Sequence, residues 1–304
     1  MIISFIKKMV LLMEIVSLNK RGDYDTIQQY GETLCGKYKE FLKKDNIGIS
    51  LDKRQINAYI LGKGKTRLII SAGIHGRESV NTTAIMRIIE EICVCLYDEK
   101  SSIPCFGNSA RLKNRLLSGS IVFVPLVNPD GYEIAIKDVN VIRDESLKEI
   151  VNSYIKRHDY DYRKYKKNAM CIDINRDFFS RAPQPETTAL IKVFKNYPCK
   201  YFIDFHSRGN SIYYHRNAMG KLYNIRQKII AKSLSKYNGY SLMNPEEEIE
   251  KGDIGGNSVH YFSQICKGHS FTIETVNEHA NFPIDEAFIR EVFAMNCYIP
   301  LSFI

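Results

Sequence analysis

In the segment Ala72-Gly-Ile-His-Gly-Arg-Glu78 an imidazole and a carboxylate stand three residues apart, close enough for both to reach one ion from a turn or a helix start. Zinc accepts that nitrogen and oxygen pair. The spacing also arises by chance, and a packed histidine beside a helix-capping glutamate explains it equally well. Two further residues add to it. His206, in Asp204-Phe-His-Ser207, ends an apolar run where a buried neutral imidazole needs a partner. Glu274 closes a second such run, Phe271-Thr-Ile-Glu274. With His75, Glu78 and His206 as ligands, a fourth coordination position stays open, the catalytic rather than the structural arrangement of zinc. A metal so held lowers the pKa of water and polarises a carbonyl. Glu274 then becomes a candidate proton carrier, its alternative being a surface carboxylate on an edge strand.

Residues spread from 75 to 274 must be brought together by one fold. No repeat or Ser/Gly/Pro-rich linker divides the 304 residues, and 44% hydrophobic with 25% charged residues suits a globular chain. Four short apolar, β-branched-rich runs, at 67–72, 120–126, 201–205 and 270–273, read as buried strands. A helix is predicted from about Ser79, with Ala84, Ile85, Ile88, Ile89 and Ile92 on one face and Glu90 and Glu91 outside. Further helices are expected near 25–43, 184–196, 221–237 and 285–298. The alternation implies an α/β fold: one domain over 21–304, with a mixed, mostly parallel sheet and helices on both faces. Such sheets bind ligands beyond the carboxyl ends of their strands, where His75, His206 and Glu274 are expected. Residues 1–20 read as an extension, disordered or the product of a misassigned start, because Glu14 interrupts its apolar stretch and no small-x-small cleavage site follows.

Five motifs resemble, in order, those of the zinc carboxypeptidase family, the carboxypeptidase A-like peptidases, over nearly all of residues 47–300. They are Ile47 to Asn57 followed by Leu61-Gly-Lys-Gly, Ile74-His-Gly-Arg-Glu78, Asn128-Pro-Asp-Gly-Tyr132, Asp173-Ile-Asn-Arg-Asp-Phe178 and Phe271-Thr-Ile-Glu274. The resemblance implies that fold and one zinc per chain on His75, Glu78 and His206. It makes Glu274 the general base and then the general acid of amide hydrolysis. Asp173 would hydrogen-bond the first histidine ligand and fix its orientation. Asn175 and Arg176 would grip a substrate carboxylate, a task suited to the guanidinium fork. Arg77 would be a further substrate-side arginine. Lys166 stands where many members place an oxyanion-stabilising arginine, and a lysine there resembles the bacterial branch that cleaves γ-D-glutamyl-meso-diaminopimelate bonds.

His206-Ser-Arg-Gly-Asn-Ser-Ile-Tyr-Tyr214 and Gly255-Gly-Asn-Ser-Val-His-Tyr-Phe262 also resemble that branch. The closing tyrosine of animal carboxypeptidases is absent from 250–254. Departures fall at Asp177, at Met170-Cys171 and at His260-Tyr261. The expected substrate is a peptide or muropeptide, the cell-wall γ-D-glutamyl bond first and an ordinary C-terminal residue second. A silent binding protein on the same fold is a third reading, which the retained Glu274 disfavours.

The net charge of +9 does not choose a partner. The basic and aromatic run 156–167 reads as a substrate-rim loop rather than a nucleic-acid surface, Asp159 and Asp161 diluting its charge. Gly62-Lys-Gly-Lys-Thr66 lacks the first glycine of a phosphate loop and reads as a hairpin turn. No run approaches the length of a membrane span, so no nucleic-acid or membrane partner is expected. Eight scattered cysteines without a C-x-x-C pair read as free thiols of a cytoplasmic protein, and a monomer is favoured. His158, His215, His269 and His279 show no ligand spacing.

Overall fold

The computed structural model describes residues 14–97, 109–247 and 256–304. Among them, one sheet of eight strands runs in the order β1-β2-β4-β3-β5-β8-β6-β7. Its members are β1 (Leu42–Ile49), β2 (Gln55–Gly62), β3 (Lys65–Ala72), β4 (Gly119–Val124), β5 (Tyr201–Ser207), β6 (Ser211–Tyr213), β7 (Ser241–Leu242) and β8 (His269–Thr275). The centre, β4-β3-β5-β8, is parallel, and antiparallel pairings flank it. Every residue of β4 is buried, as a strand covered on both faces requires.

The helices are α1 (Tyr24–Lys37), α2 (Val80–Tyr97), α3 (Ser109–Ser118), α4 (Pro129–Lys137), α5 (Glu145–Arg157), α6 (Pro185–Asn196), α7 (Lys221–Asn238), the single turn α8 (Ser258–Tyr261) and α9 (Phe288–Asn296). Alternation along the strands sorts them onto two faces. Ile70, Ile203 and Ile273 join Ile85, Ile88 and Ile89 of α2 in the larger core. Their neighbours Ile69 and Phe202 point the other way, to Leu190 and Val193 of α6 and Val259 of α8.

Four expectations change. The first helix stops at Lys37 rather than near 43, because Leu42 already pairs with Leu61 in the sheet. Glu90 is buried rather than outside, its carboxylate accepting the amides of Ile15 (2.7 Å) and Val16 (2.9 Å). The turn after Gly62 is tight but makes no hairpin, since β4 lies between β2 and β3. A Cβ at Gly64 would fall 2.0 Å from the Ser118 backbone, so only glycine lets the turn pass the start of β4. The run 156–167 begins as the end of α5 and continues through a single 3-10 turn, Tyr162–Lys164. Of the expected extension, residues 1–13 lie outside the described residues, while Val16 is fully buried in the core. The stretch 250–254 and Gly255 also lie outside them.

Candidate metal centre and active site

His75 and Glu78 occupy the turn between β3 and α2. Asn128 holds that turn in place. Its Oδ1 caps α4 by accepting the Gly131 amide (2.9 Å), while its Nδ2 donates to the carbonyls of Ile74 (3.0 Å) and Lys167 (3.1 Å). One buried side chain therefore fixes the His75 loop against the Lys166 loop. The expected sheet-end turn at 128–132 is thus the cap and first turn of a helix. A Cβ at Gly76 would sit 2.0 Å from the Gly131 carbonyl, so glycine is needed for this close approach.

His206 and Glu274 come from the last residues of β5 and β8, where the register places them directly opposite each other. Glu274 lies inside the sheet, between β5 and β6, rather than on an edge strand. The Glu78 carboxylate bridges the two imidazoles, Oε1 lying 2.8 Å from His75 Nδ1 and Oε2 3.0 Å from His206 Nδ1. Two nitrogens and one oxygen converge with all ligand atoms within 4.8 Å of one another. This donor set and spacing fit zinc.

Carboxylates also face the far nitrogens of both histidines. Asp173 Oδ1 is 3.2 Å from His75 Nε2, and Asp204 Oδ2 is 3.1 Å from His206 Nε2. Such partners orient an imidazole and raise its basicity. Asp204 was not singled out in the sequence, although the signal was there: two residues before His206 on a strand, it shares that residue's face. It is completely buried and accepts hydrogen bonds from the hydroxyls of Ser71 (2.7 Å) and Ser258.

The electrostatics follow from this packing. Burial works against the charged form of His75, but Glu78 and Asp173 outweigh it and raise its pKa. Burial likewise opposes charge on His206, yet Asp204 and Glu78 hold its pKa well above the ordinary value. In turn the imidazoles draw Glu78 below the usual carboxylate range despite its burial, and His75 and Lys166 do the same for Asp173. Glu274 moves the other way. Burial pushes its carboxyl up to about 8, against the pull of His206, and its Oε2 is enclosed without a hydrogen-bond partner.

All the candidate residues except Asp173 line one cavity of about 400 Å³: His75, Arg77, Glu78, Lys166, Asn175, Arg176, His206 and Glu274. Lys166 Nζ pairs with Asp173 Oδ2 at 2.6 Å. Asn175 and Arg176 sit on a 3-10 turn, Ile174–Arg176, where Asn175 Oδ1 accepts the Ser258 amide (3.1 Å). Asp177, one of the departures, uses its carboxylate to accept the Gln184 amide (2.6 Å) ahead of α6. His260 does not line the cavity. It is buried with neither ring nitrogen hydrogen-bonded, and burial, with Arg216 and Arg176 nearby, pushes its pKa down to about 3. Arg208, Tyr213 and Asn257, from the segments 206–214 and 255–262 but not individually singled out, line the cavity, as do Thr272 and Phe282, which no motif included. They occupy loops and strand ends whose convergence only the fold reveals.

The profile of the family described as zinc carboxypeptidase matches residues 27–294. Carboxypeptidase B of Astacus astacus is 29% identical over 119 residues, 38% of this chain and 35% of that protein. An uncharacterized protein of Bacillus subtilis (strain 168), YqgT, is 26% identical over 171 residues, 48% of this chain and 42% of that one. The chain thus spans less than half the length of these curated relatives. The crystal structure of thrombin activatable fibrinolysis inhibitor is similar in fold, with a TM-score of 0.73 and 17% identity, covering 96% of this chain and 77% of that one. With the profile covering most of its length and the histidine and glutamate ligands in place, the chain belongs to the zinc carboxypeptidase family, and His75, Glu78 and His206 are its zinc site.

Proposed function

We propose that this protein is a zinc metallopeptidase that hydrolyses the γ-D-glutamyl bond to a diamino acid in peptidoglycan stem peptides. The observation that carries the hydrolase reading is the single cavity in which the three ligands, Glu274 and the Asn175–Arg176 pair meet. Zinc, when bound, supplies Lewis acidity at the substrate carbonyl and acidifies water. Glu274, with its enclosed Oε2, takes a proton from the attacking water and delivers it to the leaving nitrogen. Lys166 supplies positive charge for the developing oxyanion while Asp173 holds its ammonium in place. Asn175 and Arg176 hold the carboxylate of the leaving residue.

The cell-wall substrate is supported by the lysine at 166 and by the likeness of segments 206–214 and 255–262 to the bacterial branch. A second reading, removal of C-terminal residues from ordinary peptides, is favoured by the similarity to carboxypeptidase B of Astacus astacus. Mass spectrometry of an L-Ala-γ-D-Glu-diaminopimelate peptide beside α-linked peptides separates them. Cleavage of the γ-linked bond is expected. If only the α-linked peptides are cut, the second reading replaces the first.

A further inference from the structure

Helix α7 turns an apolar line outward. Leu222, Ile225 and Ile229 stand at i, i+3 and i+7, which puts them on one face, and they are 75%, 47% and 64% exposed. The other side of the helix fixes this orientation. Ala231 and Leu234 are buried in the larger core. The buried Gln227 side chain donates to the carbonyls of Tyr214 (2.9 Å) and Ser270 (2.8 Å). Rotating the helix to hide the aliphatic line would break both hydrogen bonds and bring the core residues out. A surface helix ordinarily keeps its apolar residues inside and its charges outside. In α7 the middle of the exposed face departs from that pattern.

The charge of the same face has one sign. The 18 residues of α7 include Lys221, Arg226, Lys228, Lys232 and Lys236 and no aspartate or glutamate. At 3.6 residues per turn, Lys221, Lys228 and Lys232 fall along one side of the aliphatic line, Arg226 and the half-exposed Tyr237 along the other, and Lys236 continues it. Among the described residues none of the five cations pairs with a carboxylate. The positive field extends past the start of the helix. His269, stacked on the Tyr223 ring at 4.8 Å between centroids, is held below its ordinary pKa by burial and then by Arg226 and Lys200. No residue of α7 lines the cavity that holds the ligand cluster.

We propose that the outward face of α7 docks the protein on an anionic lipid surface. Such a surface places an apolar layer beneath a plane of negative headgroups. The aliphatic line enters the layer while the lysine and arginine stems lie along it and carry their charges up to the headgroups. Other occupants match only half of the face. A nucleic acid would pair with the cations but offers no apolar layer for three aliphatic side chains. A second copy of α7 would cover the aliphatics but would set rows of like charge against each other. No helix among the described residues is long and apolar enough to cross a membrane, but docking on its surface needs only one helix face.

Cosedimentation of the whole protein with vesicles tests this, using phosphatidylcholine alone and phosphatidylcholine mixed with an equal part of phosphatidylglycerol. Binding is expected to the mixed vesicles only, and to weaken as salt is added. Lys228→Gln with Lys232→Gln should lower the partition coefficient roughly 25-fold, at about 5-fold per cation near a charged membrane. Leu222→Ser with Ile229→Ser should lower it at least about 10-fold. All four positions are exposed, so both variants should keep the parental Tm. The chain has no tryptophan, so Ile225→Trp adds a single reporter to the aliphatic line, and its emission should shift to the blue when mixed vesicles are added. Equal binding to both vesicle types, or to neither, would overturn the proposal. So would unchanged binding by the Leu222→Ser, Ile229→Ser variant, the result for a nucleic-acid surface that reads charge alone. A dimer of the free protein that this variant abolishes would assign the face to a second copy instead.

Discussion

At the scale of single residues, the site is a set of charges that stabilise one another. Glu78 lies between two imidazoles, each with a second carboxylate on its far nitrogen. Asp173 was legible as a motif residue. Asp204 carried only the weaker signal of sharing a strand face with His206, and a lone aspartate in an apolar strand looks like any buried polar group until its partner's role is known. If Asp204 fixes His206 as Asp173 fixes His75, Asp204→Asn should weaken zinc binding by about 10-fold to 100-fold. Competition with a chromogenic chelator measures this, and an unchanged affinity would leave Asp204 with a packing role alone. His260 shows the opposite limit. It stood in a segment that resembled a specificity region, yet its ring is buried and is not among the residues that line the cavity.

At the scale of elements, the strands β3, β4, β5 and β8 were legible because buried parallel strands leave continuous apolar runs. The helices α3, α4 and α5 were not, being short or mostly polar, and α4 is announced only by its Asn-Pro cap. The loop carrying Asp173 to Arg176 is tied to α6 through Asn168, whose Nδ2 donates to Glu186 Oε2 at 3.2 Å. Glu186 is fully buried, and burial pushes its carboxyl from 4.5 up to about 7. A carboxyl whose pKa is raised on folding contributes stability that is complete below the unfolded value and is lost as pH rises through the folded one. The protein should therefore lose about 3 kcal/mol from this group between pH 4.5 and 7. Glu186→Gln removes that dependence. Urea unfolding should find the variant close to the parent at pH 5 and more stable at pH 8; parallel pH profiles would contradict this origin of the slope.

At the scale of the whole molecule, the ligands come from the turn after β3 and the end of β5, so the sheet must form before the zinc site exists. The sequence could name the ligands because family motifs travel with their spacing. It could not show that Arg77 and Arg208 share the Phe282 ring, since those three residues follow three different strands. Because the unfolded chain holds no such site, zinc should stabilise the fold by mass action, by about 4 kcal/mol when free zinc is 1,000 times its Kd. Differential scanning calorimetry should accordingly find a lower Tm after chelation, restored by zinc and not by magnesium. Glu274→Gln, measured for zinc content and for peptide hydrolysis on one preparation, separates metal binding from proton transfer most directly. One zinc per chain is expected, with hydrolysis reduced at least 10²-fold, the low end of what a positioned general base contributes. Hydrolysis at the parental rate by the zinc-loaded variant would contradict Glu274 as the proton carrier.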